Sequence, residues 1–257
     1  MRDVIDIDAH PIDQSSYAAA CKSTLDRNGA LVLDGFFRLE GIDQVVAEAH
    51  ALRDDVFYAE STHNVYLTPQ DPSLEPTHPF NIAVASTKGL IADDQIPADS
   101  PLRDVYGSEQ FQTFLRSVLG VDGLYPYADP LSSINVHFAD AGRELGWHFD
   151  NSSFAVTMLL QAPEDGGRFE YVPDVRDAEA GEMGFDTVAQ VLAGQVTART
   201  LEFSPGALVL FRGRNSMHRV TPTIGDTTRL LAVFAYNDKP DVQLSDSALM
   251  TFFGRTA

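Results

Sequence analysis

The stretch LEFSPGALVLFRGRNSMHRVTPTIGDTTRLLAVFAY, residues 201–236, decides the fold class. Three short runs within it, ALVLFRG, SMHRVTP and RLLAVFAY, are rich in aliphatic and aromatic residues. Turn residues separate them, with SPG before the first run and TIGD before the last. Short apolar runs bounded by Gly, Pro and Asp are typical of antiparallel strands. The stretch therefore predicts three consecutive strands.

The same pattern extends upstream, where four further runs read as strands: SSINVHFAD, FAVTMLLQA, GRFEYVP and ARTLEFS. The turn sequence EDGG separates the second from the third, and a short helix is predicted over residues 184–194. About seven or eight short strands in series favour a β-sandwich or a barrel. The second half of the chain is therefore predicted to form the β core.

The first half of the chain has a different pattern. Apolar residues recur at helical spacing in three segments, with one short strand predicted over 29–37 between the first two. These predicted helices cover residues 12–28, 39–58 and 107–119. Residues 60–103 have no sustained period, yet they contain aromatic and aliphatic residues, so we expect an ordered covering segment.

No linker or repeat divides the chain, so one α+β domain over residues 1–257 is expected. Its helical part and lid would cover about 1–120, and its β core about 121–257.

Composition limits the partners of the protein. The chain has 37 acidic and 18 basic residues, a formal net charge of −19, which disfavours nucleic acid and anionic membranes as partners. Its apolar runs are too short to cross a bilayer, and the acidic N-terminal stretch does not resemble a signal peptide. Cys21 is the single cysteine, so a buried thiol and a cytoplasmic location are the default expectations. The oligomeric state is left open.

The stretch GWHFDNSSF, residues 146–154, contains a candidate metal-binding pair. On a strand, His148 and Asp150 would point to the same face because side chains alternate. A histidine and an aspartate this close also occur by chance on the surface of a strand. The pair alone therefore leaves both interpretations open.

The metal-site interpretation is favoured by two residues that come much later in the chain. His218 follows in SMHRVTP, and Arg229 comes eleven residues later at the start of RLLAVFAY. Two histidines and one carboxylate form the facial triad of non-haem Fe(II) oxygenases, while an arginine can hold a carboxylate by a bidentate contact. His218 as a structural core histidine remains the alternative.

These motifs resemble those of the Fe(II)/2-oxoglutarate-dependent oxygenases in order and spacing. The matching stretches are GWHFD, the GG turn at 166–167, SPGALVLF and HRVTPTIGDTTR. The resemblance implies a double-stranded β-helix, or jelly roll, with N-terminal helices packed on it. It also implies Fe(II) bound by His148, Asp150 and His218, and 2-oxoglutarate held by Arg229, with O2 as the second cosubstrate.

More narrowly, three stretches resemble a small bacterial subfamily of radical halogenases and hydroxylases of free amino acids. They are STKGLIADDQIPADSPLRDVYGSEQF, WHFDNSSFAVTMLLQAPEDGGRFEYVP and LFRGRNSMHRVTP. In its halogenases the carboxylate position is a small residue, whereas this chain has Asp150. The resemblance therefore implies hydroxylation of an unactivated C–H bond, with release of succinate and CO2. Desaturation, cyclisation or a non-oxygenase jelly-roll metalloprotein are the alternatives.

The sequence says less about the pocket. Thr157 and Gln161 share a face of one predicted strand and are candidates for lining the cofactor pocket, or are ordinary strand residues. Trp147, Asn151 and His137 are candidate substrate contacts. A free amino acid also needs partners for its carboxylate and its ammonium group. The candidates are Arg103, Arg212, Arg214 and Arg219 for the former, and Asp129 and Asp140 for the latter. The remaining histidines, His10, His50, His63 and His78, are expected to be structural or exposed.

Overall fold

The structure, a computed structural model, describes residues 3–256. Six α-helices lie in this range: α1 (Ser15–Asn28), α2 (Leu39–Ala51), α3 (Pro101–Tyr106), α4 (Glu109–Leu119), α5 (Phe185–Leu192) and α6 (Asp246–Phe253). The strands are β1 (Ala30–Leu33), β2 (Phe57–His63), β3 (Val84–Ile91), β4 (Ile134–Ala139), β5 (Leu145–His148), β6 (Ala155–Gln161), β7 (Asp165–Gly166), β8 (Phe169–Val172), β9 (Arg199–Leu201), β10 (Leu208–Phe211), β11 (Met217–Val220), β12 (Thr223–Ile224) and β13 (Arg229–Phe234). The predicted α+β class is confirmed.

Eleven strands form one curled antiparallel sheet. Their order is β1-β10-β6-β13-β4-β3-β5-β11-β8-β9, with β2 paired to β3, and β7 and β12 form a separate two-stranded ribbon. Neighbours in the sheet are mostly distant in sequence, as expected of a jelly roll and not of a simple meander. The predicted jelly-roll core is therefore confirmed.

The two faces of the sheet have different surroundings. Along β13, Leu230, Ala232 and Phe234 belong to the main apolar cluster, which also contains the buried faces of α1, α2 and α4. Because side chains alternate on a strand, Arg229 points the other way, into the concave interior. Helices α1, α2 and α4 thus cover the outside of the curled sheet, and the interior is left for a site.

Residues 60–103 differ from the prediction. Residues 57–63 pair with residues 84–91 as β2 and β3, and β3 also pairs with β4 and β5. The longest stretch of this segment without a helix or strand is residues 64–83. The first half of the chain therefore supplies three strands of the sheet, and the predicted division between a helical part and a β core near residue 120 is wrong.

The helix ends follow local capping signals. The predicted first and third helices end at Gly29 and Gly120, each in the left-handed conformation that favours glycine. The second helix ends at Ala51, earlier than predicted, because residue 57 already begins a strand. Helix α6 was not predicted, although Ser245 caps its first turn and Gly254 ends it. Within residues 3–256, none of the helices combines the length and apolarity that crossing a bilayer requires.

Candidate metal centre

Two histidines and an aspartate meet on the interior side of the sheet. His148 ends β5 and lies opposite His218 of β11 in the antiparallel register. Asp150 was predicted to lie on the same strand, but it lies in the turn after β5 ends. Its N–H donates to the Gly213 carbonyl at 3.0 Å. The turn returns the carboxylate to the side of the sheet that carries both imidazoles, so the three predicted ligands do come together.

The distances within this cluster suit a single metal ion. Asp150 Oδ1 lies 3.7 Å from His148 Nε2 and 3.5 Å from His218 Nε2. One ligand atom from each of the three residues can be chosen so that all lie within 4.8 Å of one another. The two histidine side chains are 8% and 6% exposed, and the aspartate is 22% exposed. The two imidazoles are thus buried, whereas the carboxylate is partly accessible to solvent.

Backbone carbonyls orient both imidazoles. His148 Nδ1 donates to the Gly146 carbonyl at 2.8 Å, and His218 Nδ1 donates to the Ser216 carbonyl at 3.0 Å. Since a carbonyl only accepts, each Nδ1 carries a proton, and Nε2 is the ring atom that is left to bind a metal. Burial, and then the neighbouring His218, lower the pKa of His148 to about 3. The ring is therefore neutral at physiological pH, which is the form that binds metals.

The aspartate has an unpaired oxygen. Asp150 Oδ2 is buried and has no hydrogen-bond partner within residues 3–256. Burial raises the pKa of Asp150, but His218 and His148 more than offset it, so the pKa lies below its ordinary value. A buried ionised carboxylate oxygen without a donor is costly unless a cation completes its surroundings. A metal ion bound at Oδ1, which faces both imidazoles, would neutralise this carboxylate, so the group fits a metal held with the two histidines.

Arg229 lies at the start of β13 on the interior face and is 5% exposed. Its guanidinium has neither a hydrogen bond nor an ion pair with any residue in the range 3–256. Burial lowers its pKa to about 10, so it is still charged at neutral pH. The side chain passes Gly167, where an added Cβ would lie 2.8 Å from Arg229 Cδ. A buried cation without an anion is a receptor for a carboxylate.

Two further basic groups share the interior. Lys88 of β3 and His137 of β4 lie on the face that carries Arg229, and neither has a hydrogen bond or ion pair among the described residues. Burial lowers the pKa of Lys88 to about 8, although the charge of Asp150 opposes this. Burial, and then the charges of Lys88 and Arg229, hold the pKa of His137 well below its ordinary value. The interior of this acidic protein is therefore electropositive.

The family model of halogenase D matches residues 14–250. This chain belongs to the halogenase D family. A comparison with curated proteins gave no match.

Solved structures with this fold are distant in sequence. A 2OG-Fe(II) oxygenase family oxidoreductase from Burkholderia pseudomallei is 13% identical, with a TM-score of 0.53 over 88% of this chain and 93% of that one. The non-heme α-ketoglutarate-dependent epimerase SnoN of nogalamycin biosynthesis is 14% identical, with a TM-score of 0.59 over 88% and 84%. A prolyl-4-hydroxylase from Pseudomonas putida is 14% identical, with a TM-score of 0.51 over 84% and 97%. These likenesses confirm the predicted fold.

In this member of the halogenase D family, the two residues predicted to line the cofactor pocket, Thr157 and Gln161, lie on different faces of the sheet. Thr157 pairs with Val233, so it points to the interior as expected. Gln161 does not share its face, because a register shift places it opposite the outward-pointing Leu230, and it bonds His50 of α2. The prediction of a shared face for these two residues is therefore wrong, and only Thr157 stays a candidate for the cofactor pocket.

Trp147 and Asn151 lie less favourably for contact with a substrate. Trp147 alternates with His148 on β5 and therefore points away from the cluster, where its ring lies 4.8 Å from the guanidinium of Arg219. Asn151 is exposed, and its carbonyl accepts from Arg214 Nη1 at 2.7 Å. His137 alone of the three predicted substrate residues lies on the interior face.

The predicted charged partners of a substrate already have protein partners. All four arginines form ion pairs: Arg103 with Asp93, Arg212 with Asp26, Arg214 with Glu179 and Arg219 with Glu170. The aspartates also accept hydrogen bonds, Asp129 from Leu131, Ser132 and Leu244, and Asp140 from Arg53, Tyr58 and Thr228. The structure accounts for these six residues without a ligand.

His63 was expected to be structural or exposed, and its ring lies 6.2 Å from that of His148. Its Nδ1 donates to the Asn64 carbonyl, so its Nε2 accepts from Ser86 Oγ at 2.6 Å. The same Oγ accepts from the Gly146 N–H at 3.1 Å, and the Gly146 carbonyl holds His148. His63 and Ser86 therefore support the orientation of a candidate ligand. Neither was found from sequence because β2 and β3 were not predicted as strands.

Proposed function

We propose that this protein is an Fe(II)- and 2-oxoglutarate-dependent dioxygenase that hydroxylates a C–H bond of a small molecule. Succinate and CO2 would be the products of the cosubstrate. The observation that carries the proposal is the juxtaposition, in one interior, of the His148, Asp150 and His218 cluster with the unpaired Arg229. The fold supports it, since structures of oxygenases share this architecture.

His148, Asp150 and His218 would hold the iron. Two neutral imidazoles and one carboxylate are the ligand set of non-haem Fe(II) oxygenases, which leaves open positions on the ion. When bound, iron together with 2-oxoglutarate supplies the activation of dioxygen. The chain itself orients the two imidazoles through backbone carbonyls, and it holds the carboxylate through the Asp150 N–H bond to Gly213.

Arg229 would bind the distal carboxylate of 2-oxoglutarate. Its planar guanidinium can donate two parallel hydrogen bonds to a carboxylate, and burial strengthens such a contact. Thr157, on the neighbouring strand β6 and on the same face, is the proposed second contact. The electropositive interior suits a dianion that the acidic exterior would otherwise repel.

Hydroxylation is proposed in preference to halogenation, although the family carries the name of a halogenase. The argument rests on Asp150. Three protein ligands leave three positions on a six-coordinate ion, and a chelating cosubstrate and dioxygen require all three. No position is then left for a halide. Desaturation, cyclisation or epimerisation would need the same ligands, so the identity of the product decides among these outcomes.

The proposed substrate is a small molecule with a carboxylate, most simply a free amino acid. Lys88 supports this proposal because its ammonium group has no carboxylate partner within the described chain. Its charge acts on Asp150 across the interior, and its Nζ lies 5.6 Å above the Phe252 ring of α6. With Arg229 assigned to the cosubstrate, Lys88 is an interior cation that is left for a substrate anion.

The test is a mass-spectrometric screen of free amino acids with Fe(II), 2-oxoglutarate and O2. We expect one substrate to gain a single oxygen atom in step with succinate formation. Excess chloride should give no chlorinated product, and the His218→Ala variant serves as the control for protein-dependent turnover. Chlorinated product from the wild-type protein would show that the proposed role of Asp150 is wrong.

A further inference from the structure

Gly213 lies in the turn between β10 and β11, directly beside the candidate metal ligand Asp150. It is buried, and its carbonyl accepts the Asp150 N–H at 3.0 Å. It is absent from the glycines with positive φ, so its backbone does not itself require glycine. The reason for glycine at this position must therefore be sought in the space around it.

That space is filled by the carboxylate. A Cβ added to Gly213 would lie 1.8 Å from Asp150 Oδ2, 2.6 Å from Asp150 Cγ and 2.9 Å from His218 Cε1. The distances to Oδ2 and Cγ of Asp150 are far shorter than any van der Waals contact. The N–H of Asp150 donates to the Gly213 carbonyl, and Oδ1 lies 3.7 and 3.5 Å from the Nε2 atoms of His148 and His218. The overlap is relieved most cheaply by rotation of the carboxylate, the far end of a side chain, away from the cluster.

We propose that Gly213 is a positioning residue that determines whether a carboxylate can ligate the metal. The proposal rests on the proposed iron site. It makes the third protein ligand a property of two positions, 150 and 213, rather than of Asp150 alone. A side chain at 213 would displace the carboxylate and open a metal position to water or a halide, even with the aspartate retained.

A double-mutant cycle tests this coupling. Co(II) alone is the probe, and its affinity and visible absorption spectrum are measured for wild type, Gly213→Ala, Asp150→Gly and the double variant. We expect Gly213→Ala to weaken Co(II) binding by about 10–100-fold, the usual loss when a ligand is mispositioned. In the Asp150→Gly background the same alanine should change the affinity by less than about threefold, because no carboxylate remains to be displaced.

The contact with His218 Cε1 is present in both backgrounds, so the cycle isolates the carboxylate contact. Gly107→Ala is the matched control, because Gly107 is exposed at the end of α3 with φ −79° and should leave Co(II) binding unchanged. Spectra of Gly213→Ala and Asp150→Gly should resemble each other, since both lose the carboxylate ligand. A purely structural role for Gly213 would not produce that likeness.

Each outcome of the cycle is decisive. Wild-type affinity in Gly213→Ala, or an equal loss in both backgrounds, overturns the role of Gly213 while leaving the metal site standing. Equal Co(II) binding by wild type and Asp150→Gly, or none by wild type, overturns the metal site as well. If Gly213→Ala fails to fold, a folded double variant supports the proposal, whereas two unfolded variants overturn it.

Discussion

Replacement of Arg229 by lysine should weaken 2-oxoglutarate binding without removing the metal. The guanidinium is 5% exposed and has no anionic partner in residues 3–256. Burial lowers its pKa to about 10, which corresponds to about 3 kcal/mol of unfavourable burial of the charge. A bound carboxylate offsets this cost and adds charge-assisted hydrogen bonds. Lysine keeps the charge but loses the planar two-point contact.

The expected loss is about 1.5–3 kcal/mol, or roughly 10–150-fold in affinity. Titration of the Co(II)-loaded protein with 2-oxoglutarate measures it directly. Arg212→Lys is the matched control, because Arg212 is already paired with Asp26 near the surface. In the absence of 2-oxoglutarate, Arg229→Met should be at least as stable as wild type, since it removes an uncompensated buried charge. An unchanged 2-oxoglutarate affinity in Arg229→Lys would place the cosubstrate elsewhere.

Three further predictions concern Lys88, Ser86 and residues 64–83. Lys88→Met should raise the KM for a carboxylate substrate by about 10-fold or more while leaving 2-oxoglutarate affinity unchanged. In the wild-type protein, kcat/KM should fall as the pH rises through about 8, because the Lys88 ammonium group loses its proton there. A flat pH profile would contradict this role of Lys88. Ser86→Ala should lower Co(II) affinity by about 10-fold, because the Gly146 N–H and His63 lose their shared partner. Ser117→Ala, at an exposed position of α4, is the control and should leave that affinity unchanged. Substrate at saturation should slow proteolysis within residues 64–83, whose Val65 carbonyl holds the Phe149 N–H; equal cleavage rates would exclude closure of this segment.

The second half of the fold and the cluster of His148, Asp150 and His218 were predictable because strong local signals mark them. Strands such as β10 and β13 are apolar runs bounded by Gly, Pro and Asp, and the ligands sit in a distinctive motif. By contrast, β2 has the sequence FYAESTH, in which apolar and polar residues do not alternate. Its place in the sheet comes from pairing with β3 across a loop of 64–83, a long-range contact that local sequence does not encode.

The errors in the site follow from the same limits. Lys88, Ser86 and His63 lie on strands that were not predicted, so their faces could not be assigned. Trp147 is next to a ligand in sequence, yet alternation places its ring on the opposite face. Gln161 lies on the outer face and not on the interior face because of a register shift between β6 and β13, which no residue in FAVTMLLQA indicates. Sequence motifs predicted the meeting of His148, Asp150 and His218 well and the faces of the surrounding residues poorly.

The central claim is that His148, Asp150 and His218 hold Fe(II) beside a 2-oxoglutarate site. Anaerobic titration of the protein with Fe(II) and 2-oxoglutarate, followed by visible absorption, tests it most directly. We expect a charge-transfer band that requires both additions and that is lost in His148→Ala and His218→Ala, whose folds should remain intact because both side chains end at the metal position. Absence of the band from the wild-type protein, or its persistence in both histidine variants, would contradict the claim.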